Sequence, residues 1–351
     1  MNIYLLPMLI ALITTYIIIL LIRPLAVRIN LTDQPSKRKL HSGSIPIIGG
    51  IAMFFGVLTA ILVSPYDLNE FNYFLLSILI IVSIGILDDN KEVTVPIRIF
   101  FQTLVAIVVV FLGELNILSL GNLFGRGEIL LNGWVYLVTM VAIIVGINSV
   151  NMSDGLHGLA GGNSLVSFLA IVFLSINSSS HESLLISLLF CAVLPVFLIN
   201  NLCIGISSNK RIFMGDAGSM FIGLSLAWVL IDLSQGEGGS FSPVIALWLF
   251  AFPLIEIVST ILRRLNSGMS PFKPDSSHTH HILLKLGYSD KKTLIILLIF
   301  STIMAGIGII GESYLIAENL MFLGFLLVFV FLYLARIVAL RKIKNINQNI
   351  E

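Results

Sequence analysis

Eleven long apolar stretches constrain this chain more than any other feature of its sequence. A helix needs about 17 to 25 apolar residues to cross the hydrocarbon core of a bilayer. Stretches of about that length occupy residues 3–22, 45–64, 71–87, 99–113, 134–150, 163–177, 183–199, 219–233, 243–262, 294–313 and 320–338. They predict an all-α polytopic membrane protein with about eleven transmembrane helices, forming a single integral membrane domain over 1–351.

Composition excludes an ordinary soluble domain. Hydrophobic residues make up 57% of the 351 and charged residues 11%, whereas about a quarter of residues are charged in soluble domains. The net charge of +1 argues against a nucleic-acid partner, which would require a basic surface. Cys191 and Cys203 lie inside or just beyond apolar runs and indicate no disulfide framework.

Lysine and arginine are distributed very unequally between the connections that join the apolar stretches. Of the 20 such residues, all but Arg126 fall in one of the two alternating sets of connections. Because cytoplasmic connections are enriched in Lys and Arg, we predict that the N-terminus faces outward and the C-terminus faces the cytoplasm. The active site is then expected in cytoplasmic loops, which carry the polar segments 33–50, 87–93, 148–158, 213–219 and 263–281.

Carboxylates stand at the ends of two apolar stretches. Asp88 and Asp89 end the third stretch, in LDDNKEV. A charge costs about 2.5 to 3.5 kcal/mol at the bilayer centre, so this pair needs water, a cation or a protonated partner; taken alone, such a pair is more often a helix cap. Asp216 lies in FMGDAGS, where small residues and a helix start favour an anionic ligand. A turn with an N-cap is the alternative there.

The segment NSVNMSDGLHG combines amides, a carboxylate and glycines. Asn148, Asn151 and Asp154 recur every three residues, so on a helical end they share one face and offer oxygen ligands to a hard cation. Gly155 and Gly158 then break the helix. A polar helix C-terminus with a glycine stop is the alternative, and it explains the glycines but not the three oxygen-bearing side chains.

Imidazoles and basic side chains mark two further segments. The sequence HTHH contains His278, His280 and His281. Their spacing matches no zinc signature, and with Arg263 nearby they fit phosphate or sugar contacts better than a transition metal. A similar basic loop contains Lys37, Arg38 and His41. Binding of anionic lipid headgroups is the alternative for that loop.

These segments together indicate phosphoryl transfer at a membrane face, because Mg²⁺ is usually held by one or two carboxylates plus substrate phosphates. One substrate would be a soluble nucleotide and the other a lipid whose head group lies at the interface. A transporter of an anionic or lipid-linked solute would instead place ionisable groups near the midplane, where only Glu256 lies well inside a span. A structural scaffold would not need matched carboxylates and amides.

The chain resembles the polyprenyl-phosphate N-acetylhexosamine-1-phosphate transferases of glycosyltransferase family 4 along essentially its whole length. The resemblance rests on LDD, NSVNMSDGLHGLAGG, FMGDAGS and GMSPFKPDSSHTHH, in that order. The loop RKLHSGSIPIIGG and the HxHH form are more similar to the branch that uses N-acetylglucosamine than to the branch that transfers a muramyl-pentapeptide. Relatives usually read DGxDG where this chain has DGLHG, which puts His157 at a position associated with uracil recognition.

The resemblance implies transfer of GlcNAc-1-phosphate from UDP-GlcNAc to undecaprenyl phosphate, with Mg²⁺ or Mn²⁺ as cofactor. It implies a place in the bacterial cytoplasmic (inner) membrane, at the first membrane step of a surface polysaccharide of O-antigen or enterobacterial common antigen type. Three points stay open: the exact UDP-sugar, the oligomeric state (monomer or homodimer), and the mechanism. The lipid phosphate could attack directly, or the reaction could pass through a covalent aspartyl intermediate.

The resemblance also implies roles for individual residues. Asp216 and Asn151 would ligate the metal with the catalytic Asp154 close by, while Asp88 would activate the lipid phosphate and Asp89 support the site. Nucleotide contacts would come from Phe213, His157 and Asn148. Contacts to sugar or phosphates would come from Arg263, His278, His280, His281, Lys37, Arg38 and His41.

Overall fold

The computed structural model describes residues 2–33, 44–236, 239–270 and 277–348, and most of these are helical. The helices are α1 (Asn2–Arg28), α2 (Gly49–Leu62), α3 (Leu68–Lys91), α4 (Val95–Ile107), α5 (Val135–Ser153), α6 (Leu159–Ser175), α7 (His181–Leu202), α8 (Gly215–Asp232), α9 (Pro243–Leu249), α10 (Ala251–Asn266), α11 (Thr279–Lys285), α12 (Asp290–Ser313) and α13 (Glu318–Gln348). The π-helical turn Val108–Leu112 continues α4.

Every predicted apolar stretch coincides with a helix or, at 243–262, with the pair α9 and α10. Within the described ranges, eight helices are long and apolar enough to cross a membrane. The α9–α10 pair also qualifies as one broken span, bent by 86°, while α2 and α6 are shorter apolar helices. The prediction of an all-α polytopic membrane protein is therefore confirmed.

Helix α8 lies at the centre of the bundle, and its residues 217–231 are all buried. It packs against α2, α3 and α5. Glycine permits this close approach: a Cβ atom on Gly85 would lie 2.3 Å from Cα of Ala217, and one on Gly50 would lie 2.2 Å from the backbone nitrogen of Gly218. Small residues at such contacts are typical of packed membrane helices. They fix α2 and α3 against the start of α8.

The start of α8 is also tied to a short β-like segment. Strands β1 (Thr32–Asp33) and β2 (Ile45–Pro46) pair antiparallel. The backbone N–H of Phe213 donates to the carbonyl of Pro46 over 2.9 Å, and the N–H of Gly49 donates to the carbonyl of Phe213 over 2.9 Å. The segment that precedes α2 therefore runs beside the segment that precedes α8.

The last helices complete the bundle on its other side. Helix α12 packs against α6, α9 and α10, and α13 lies against α9 and α11. The short helix α11 carries the predicted histidine segment, so its position depends on α12 and α13. The C-terminal end of α10 and the start of α11 are consequently close to the last helix of the chain.

Candidate active site

The Asp89 side chain at the end of α3 caps the beginning of α8. Its Oδ1 accepts the backbone N–H of Asp216 over 2.7 Å, and its Oδ2 accepts the N–H of Ala217 over 3.2 Å. The first N–H groups of a helix lack partners within the helix and carry partial positive charge, so a carboxylate there is stabilising. Gly215 permits the turn into α8 because its φ is +75°. Asp89 thereby fixes the backbone of Asp216.

Asp216 lies in the first turn of α8 and contacts the end of α5. Its Oδ1 accepts the side-chain amide of Asn151, Nδ2 to Oδ1 being 2.5 Å, and the same Nδ2 lies 3.0 Å from Oγ of Ser219. Because Asn151 donates through its nitrogen, its Oδ1 is the atom that would ligate a cation. The two side chains predicted to be metal ligands are therefore adjacent, although 65 residues separate them in sequence.

Asp88 is nearly buried, with 6% of its surface exposed. Its Oδ1 accepts the backbone N–H of Val93 over 2.7 Å, and its Oδ2 lies 3.0 Å from Nη1 of Arg98. It also interacts with the carboxyl group of Asp216. Helix capping and ion pairing thus coexist at one side chain. Both oxygens have hydrogen-bond partners, so the orientation of the Asp88 carboxylate is fixed by Val93 and Arg98.

Asp154 directly follows α5 and faces the same group of carboxylates. Burial by the surrounding protein, and next the nearby Asp216 carboxylate, raise the pKa of Asp154 to about 7. Asp154 is nonetheless exposed to solvent. This combination fits a concave site, where protein atoms displace much of the hydration water while a ligand can still enter.

These carboxylates suit a divalent cation that is completed by substrate. Asp216 interacts with Asp88, Asp89 and Asp154, and the guanidinium of Arg98 lies beside them, paired with Asp88. Among the described residues, no three His, Cys, Asp or Glu side chains are arranged to enclose a metal ion. Carboxylates are ligands that suit Mg²⁺, which is usually held by one or two of them plus substrate phosphates.

The two amides of α5 have different partners. Nδ2 of Asn148 donates to Oε1 of Gln102 on α4 over 2.6 Å, whereas Asn151 contacts α8. Side chains three residues apart on a helix point about 60° apart, so Asn148 and Asn151 can lie near one face and still contact different helices. A shared ligand for the two amides stays a prediction. Nucleotide binding by Asn148 stays a prediction.

His157 and Phe213 come together although they belong to different connections. Their ring centroids are 5.1 Å apart with a tilt of 32°. Asn201 links the same connections: its Oδ1 accepts the N–H of Gly158 over 2.7 Å, and its Nδ2 donates to the carbonyl of Ile212 over 2.8 Å. His157 also lines a cleft of about 1090 Å³ that contains Arg211. The arrangement suits an aromatic base beside phosphate-binding cations.

The three predicted histidines form one cluster at the start of α11. Ring centroids of His280 and His281 are 4.1 Å apart, and the His278 ring is parallel to that of His280 at 5.7 Å. A Cβ atom on Gly155 would lie 2.2 Å from Nε2 of His280. The structure therefore brings the histidine cluster against the loop that contains Asp154 and His157.

The structure gives less information on the remaining predicted residues. Arg263 lies in the last turn of α10, and its ligand contact stays a prediction. Lys37, Arg38 and His41 lie outside the described residues.

Two functional candidates were missed by reading the sequence alone. Arg98, ten residues after Asp88, contributed only to the charge sorting, although it pairs directly with that carboxylate. Glu256 was noted only as an isolated charge, yet it contacts His278 and Arg336. A charge within an apolar run signals that a partner is needed, but spacing along one helix cannot identify a partner on another.

The geometry defines an α-helical membrane protein with an oxygen-rich polar site where α3, α5 and α8 meet. The sequence profile of glycosyl transferase family 4 matches residues 71–234. The chain belongs to this family, because bacterial members cover nearly all of it. The family predicted from the motifs is thereby confirmed.

Three of these relatives are named undecaprenyl-phosphate alpha-N-acetylglucosaminyl 1-phosphate transferase. The protein of Salmonella typhi is 37% identical over 322 residues, which cover 91% of this chain and 87% of the relative. That of Yersinia pestis is 38% identical and covers 88% and 84%, respectively. That of Haemophilus influenzae is 37% identical and covers 91% and 89%.

Proposed function

We propose that this chain transfers GlcNAc-1-phosphate from UDP-GlcNAc to undecaprenyl phosphate, producing undecaprenyl-diphospho-GlcNAc and UMP. The observation that carries the proposal is the group of four carboxylates next to one guanidinium where α3, α5 and α8 meet: Asp88, Asp89, Asp154, Asp216 and Arg98. Relatives 37% identical over 91% of the chain bear names that state this activity.

In the proposed reaction, a phosphate oxygen of the lipid attacks the phosphorus that carries the sugar. The bond from that phosphorus to the UMP oxygen breaks, and UMP leaves with the electron pair. Asp88, held by Arg98, would orient the lipid phosphate, and the other N–H groups of Arg98 are donors for it. A phosphate monoester needs little basicity near neutral pH, so positioning and charge neutralisation supply most of the rate.

A divalent cation would bind beside Asp216 and Asn151. Mg²⁺, or Mn²⁺, would be held there by a carboxylate and an amide oxygen with Asp154 close by, and when bound it would neutralise charge on the diphosphate. Phe213 and His157 would contact the uracil base, and the histidine cluster with Arg263 would contact the sugar or phosphates. Asp89 would hold Asp216 in place through the backbone of α8.

The whole of 1–351 would form one integral domain in the bacterial cytoplasmic membrane. Eight qualifying helices, the broken pair α9–α10 and the short helices α2 and α6 support eleven crossings. With 19 of 20 Lys and Arg on one side, the N-terminus would face outward and the site the cytoplasm. The reaction would be the first membrane step of a surface polysaccharide of O-antigen or enterobacterial common antigen type.

One feature favours a second class, a transporter of an anionic or lipid-linked solute. The α9–α10 pair is interrupted and bent by 86°, as helices at transporter binding sites often are. The ionisable group after that break, Glu256, is however already paired with His278 and Arg336. The interrupted helix therefore supports the histidine segment rather than an ion path.

Release of UMP tests the proposal directly. Detergent-solubilised protein is incubated with UDP-GlcNAc, undecaprenyl phosphate and Mg²⁺, and UMP and the lipid product are quantified. We expect UMP only when all three are present. A panel of other UDP-N-acetylhexosamines identifies the preferred sugar. Absence of UMP release with every sugar, from monodisperse protein, would overturn the enzyme assignment.

A further inference from the structure

Glu256 lies deep in α10, with 2% of its surface exposed, and binds the start of α11. Its Oε1 lies 3.0 Å from Nδ1 of His278 and accepts the backbone N–H of Thr279 over 3.2 Å. Its Oε2 accepts the hydroxyl of Thr279 over 2.5 Å. His278 precedes α11 without capping it through its own side chain. A carboxylate from another helix therefore supplies the cap of α11.

Arg336 of α13 also binds Glu256 and the segment before α11. Its Nη2 lies 3.4 Å from Oε1 of Glu256, and it donates to Oγ1 of Thr260 over 3.0 Å and to the carbonyl of Ser277 over 2.7 Å. Arg336 is 7% exposed. Breaking a buried ion pair on one side is costly, because the remaining charge loses its partner. Helix α13 is thereby bonded both to α10 and to the backbone before α11.

The segment held by Glu256 and Arg336 ends at the imidazole of His280, whose neighbours are the rings of His278 and His281. His280 is 1% exposed, and neither ring nitrogen has a hydrogen-bond partner among the described residues. A buried polar group without a partner costs about 1 to 3 kcal/mol, so its retention needs an explanation. His280 lies against Gly155, beside Asp154. A small displacement of α11 would change how closely this ring approaches the candidate active site.

We propose that Glu256 and Arg336 are positioning residues that hold segment 277–281 so that His280 meets the diphosphate of the nucleotide sugar. The assignment rests on the proposed function of the site. It gives α13, which lies outside residues 71–234, an indirect part in substrate alignment through Arg336. Glu256 and Arg336 act through His278, Thr279 and Ser277 and do not themselves touch substrate.

The test compares Glu256→Gln with Glu312→Gln. Glu312 is a matched control, because its Oε2 accepts the N–H and the hydroxyl of Ser242, both over 3.0 Å, before another seven-residue helix, α9. We expect Glu256→Gln to lower kcat/KM for UDP-GlcNAc about 10- to 100-fold, since a displacement of about 1 Å can cost 10²-fold. KM for undecaprenyl phosphate should change less than about twofold, and Glu312→Gln should leave both values unchanged.

A double-mutant cycle separates positioning from a merely structural role. If Glu256 acts through His280, the variant with both Glu256→Gln and His280→Gln should be no slower than the slower single variant. Losses that multiply would overturn the proposal, as would activity of Glu256→Gln within twofold of the parent. If Glu256→Gln does not accumulate in the membrane, Thr260→Val replaces it, because this change removes one hydrogen-bond acceptor of Arg336. We expect Thr260→Val to lower kcat/KM for UDP-GlcNAc by a smaller factor. An unchanged kcat/KM would overturn the proposal.

Activity of the parent protein separates the proposed function from the role of Glu256. A parent protein that releases no UMP would contradict the proposed function itself. An active parent whose Glu256→Gln variant melts at a lower temperature, with unchanged kcat per folded molecule, would leave the function intact and reduce Glu256 to a structural role.

Discussion

The Asp89 carboxylate on α3 accepts the backbone N–H of Asp216 on α8, with 2.7 Å between Oδ1 and the nitrogen. The residue next to Asp88 therefore fixes the backbone of the predicted metal ligand. The other end of the same helix also carries a carboxylate: Asp232 accepts the hydroxyls of Ser180 and Ser183 over 2.5 and 2.7 Å. Helix α8 thus offers two acidic residues in hydrogen-bonded settings, only one of them at the candidate site.

Asp216→Asn should abolish most activity while the protein stays folded. An amide of similar volume preserves packing but weakens Mg²⁺ binding, and we expect a loss on the order of 10²-fold or more in UMP release. Asp232→Asn is the matched control and should retain near-parental activity. Abundance and apparent melting temperature are measured for both. Activity of Asp216→Asn within a few-fold of the parent would remove Asp216 from the site.

Asp88→Asn distinguishes a cap from a catalytic group. An amide oxygen can still accept the Val93 N–H, but the charge opposite Arg98 is lost. If Asp88 orients or deprotonates the lipid phosphate, we expect a loss of about 10²- to 10⁴-fold, partly relieved at higher pH where that phosphate is already a dianion. Near-normal activity would restrict Asp88 to capping.

The same variant separates the two mechanisms that the sequence leaves open. If Asp88 is a nucleophile, Asp88→Asn should be inactive at every pH. The parent enzyme mixed with UDP-GlcNAc alone should then release one UMP per enzyme molecule. We expect no such burst, because both Asp88 oxygens are already held by Val93 and Arg98.

Gly155→Ala should impair the enzyme through His280. The added Cβ atom would lie 2.2 Å from Nε2 of His280, and the ring cannot retreat freely because His281 is 4.1 Å away, centroid to centroid. We expect a loss of about 10- to 100-fold in kcat/KM for UDP-GlcNAc. Gly306→Ala on α12, where no atom lies within 4 Å of the new Cβ, should behave like the parent. Equal activity of the two variants would contradict this contact.

His280 should make stability depend on pH. Burial, and next the neighbouring His281, lower the pKa of His280 from 6.5 to about 3. The unfolded chain therefore binds the proton more readily below about pH 6.5, so the free energy of unfolding decreases as the pH falls from about 6.5 towards 3. We expect the apparent melting temperature to fall more in the parent than in His280→Gln between about pH 7.5 and 5.

Asp154 does not obscure that comparison. Its raised pKa acts in the opposite direction, because a carboxyl that holds its proton in the folded state favours folding at lower pH. This contribution is present in both proteins and cancels between them. Melting curves with the same pH dependence in the parent and in His280→Gln would contradict the buried, neutral state of this ring.

Labelling of introduced cysteines tests the proposed topology. In a background with Cys191→Ala and Cys203→Ala, Ser179→Cys should react with an impermeant thiol reagent added to intact cells, whereas Ser207→Cys should react only after the membrane is opened. Both serines are exposed, in the connections on either side of α7. Equal labelling in intact cells would contradict the eleven-crossing arrangement.

The sequence by itself determined the helices and the ends at which polar groups stand. Long apolar runs have to form helices because backbone groups in a bilayer need partners within the segment. Asp88 and Asp89 had to lie near the end of α3, and Asp216 near the start of α8, because hydrocarbon does not tolerate them deeper. The sequence also predicted the helix break at the glycines between α5 and α6, and Gly158 has a φ of +78°.

Only the tertiary structure decided which helix ends meet. Asp89 caps a helix 127 residues further along the chain, Arg98 turns towards Asp88, and Arg336 joins Glu256 across 80 residues of sequence. An isolated charge reveals that it needs a partner, but the identity of the partner depends on how helices cross. Those crossings are set by close backbone contacts such as Gly50 with Gly218, which depend on the shapes of both surfaces and leave no periodic signal in either segment.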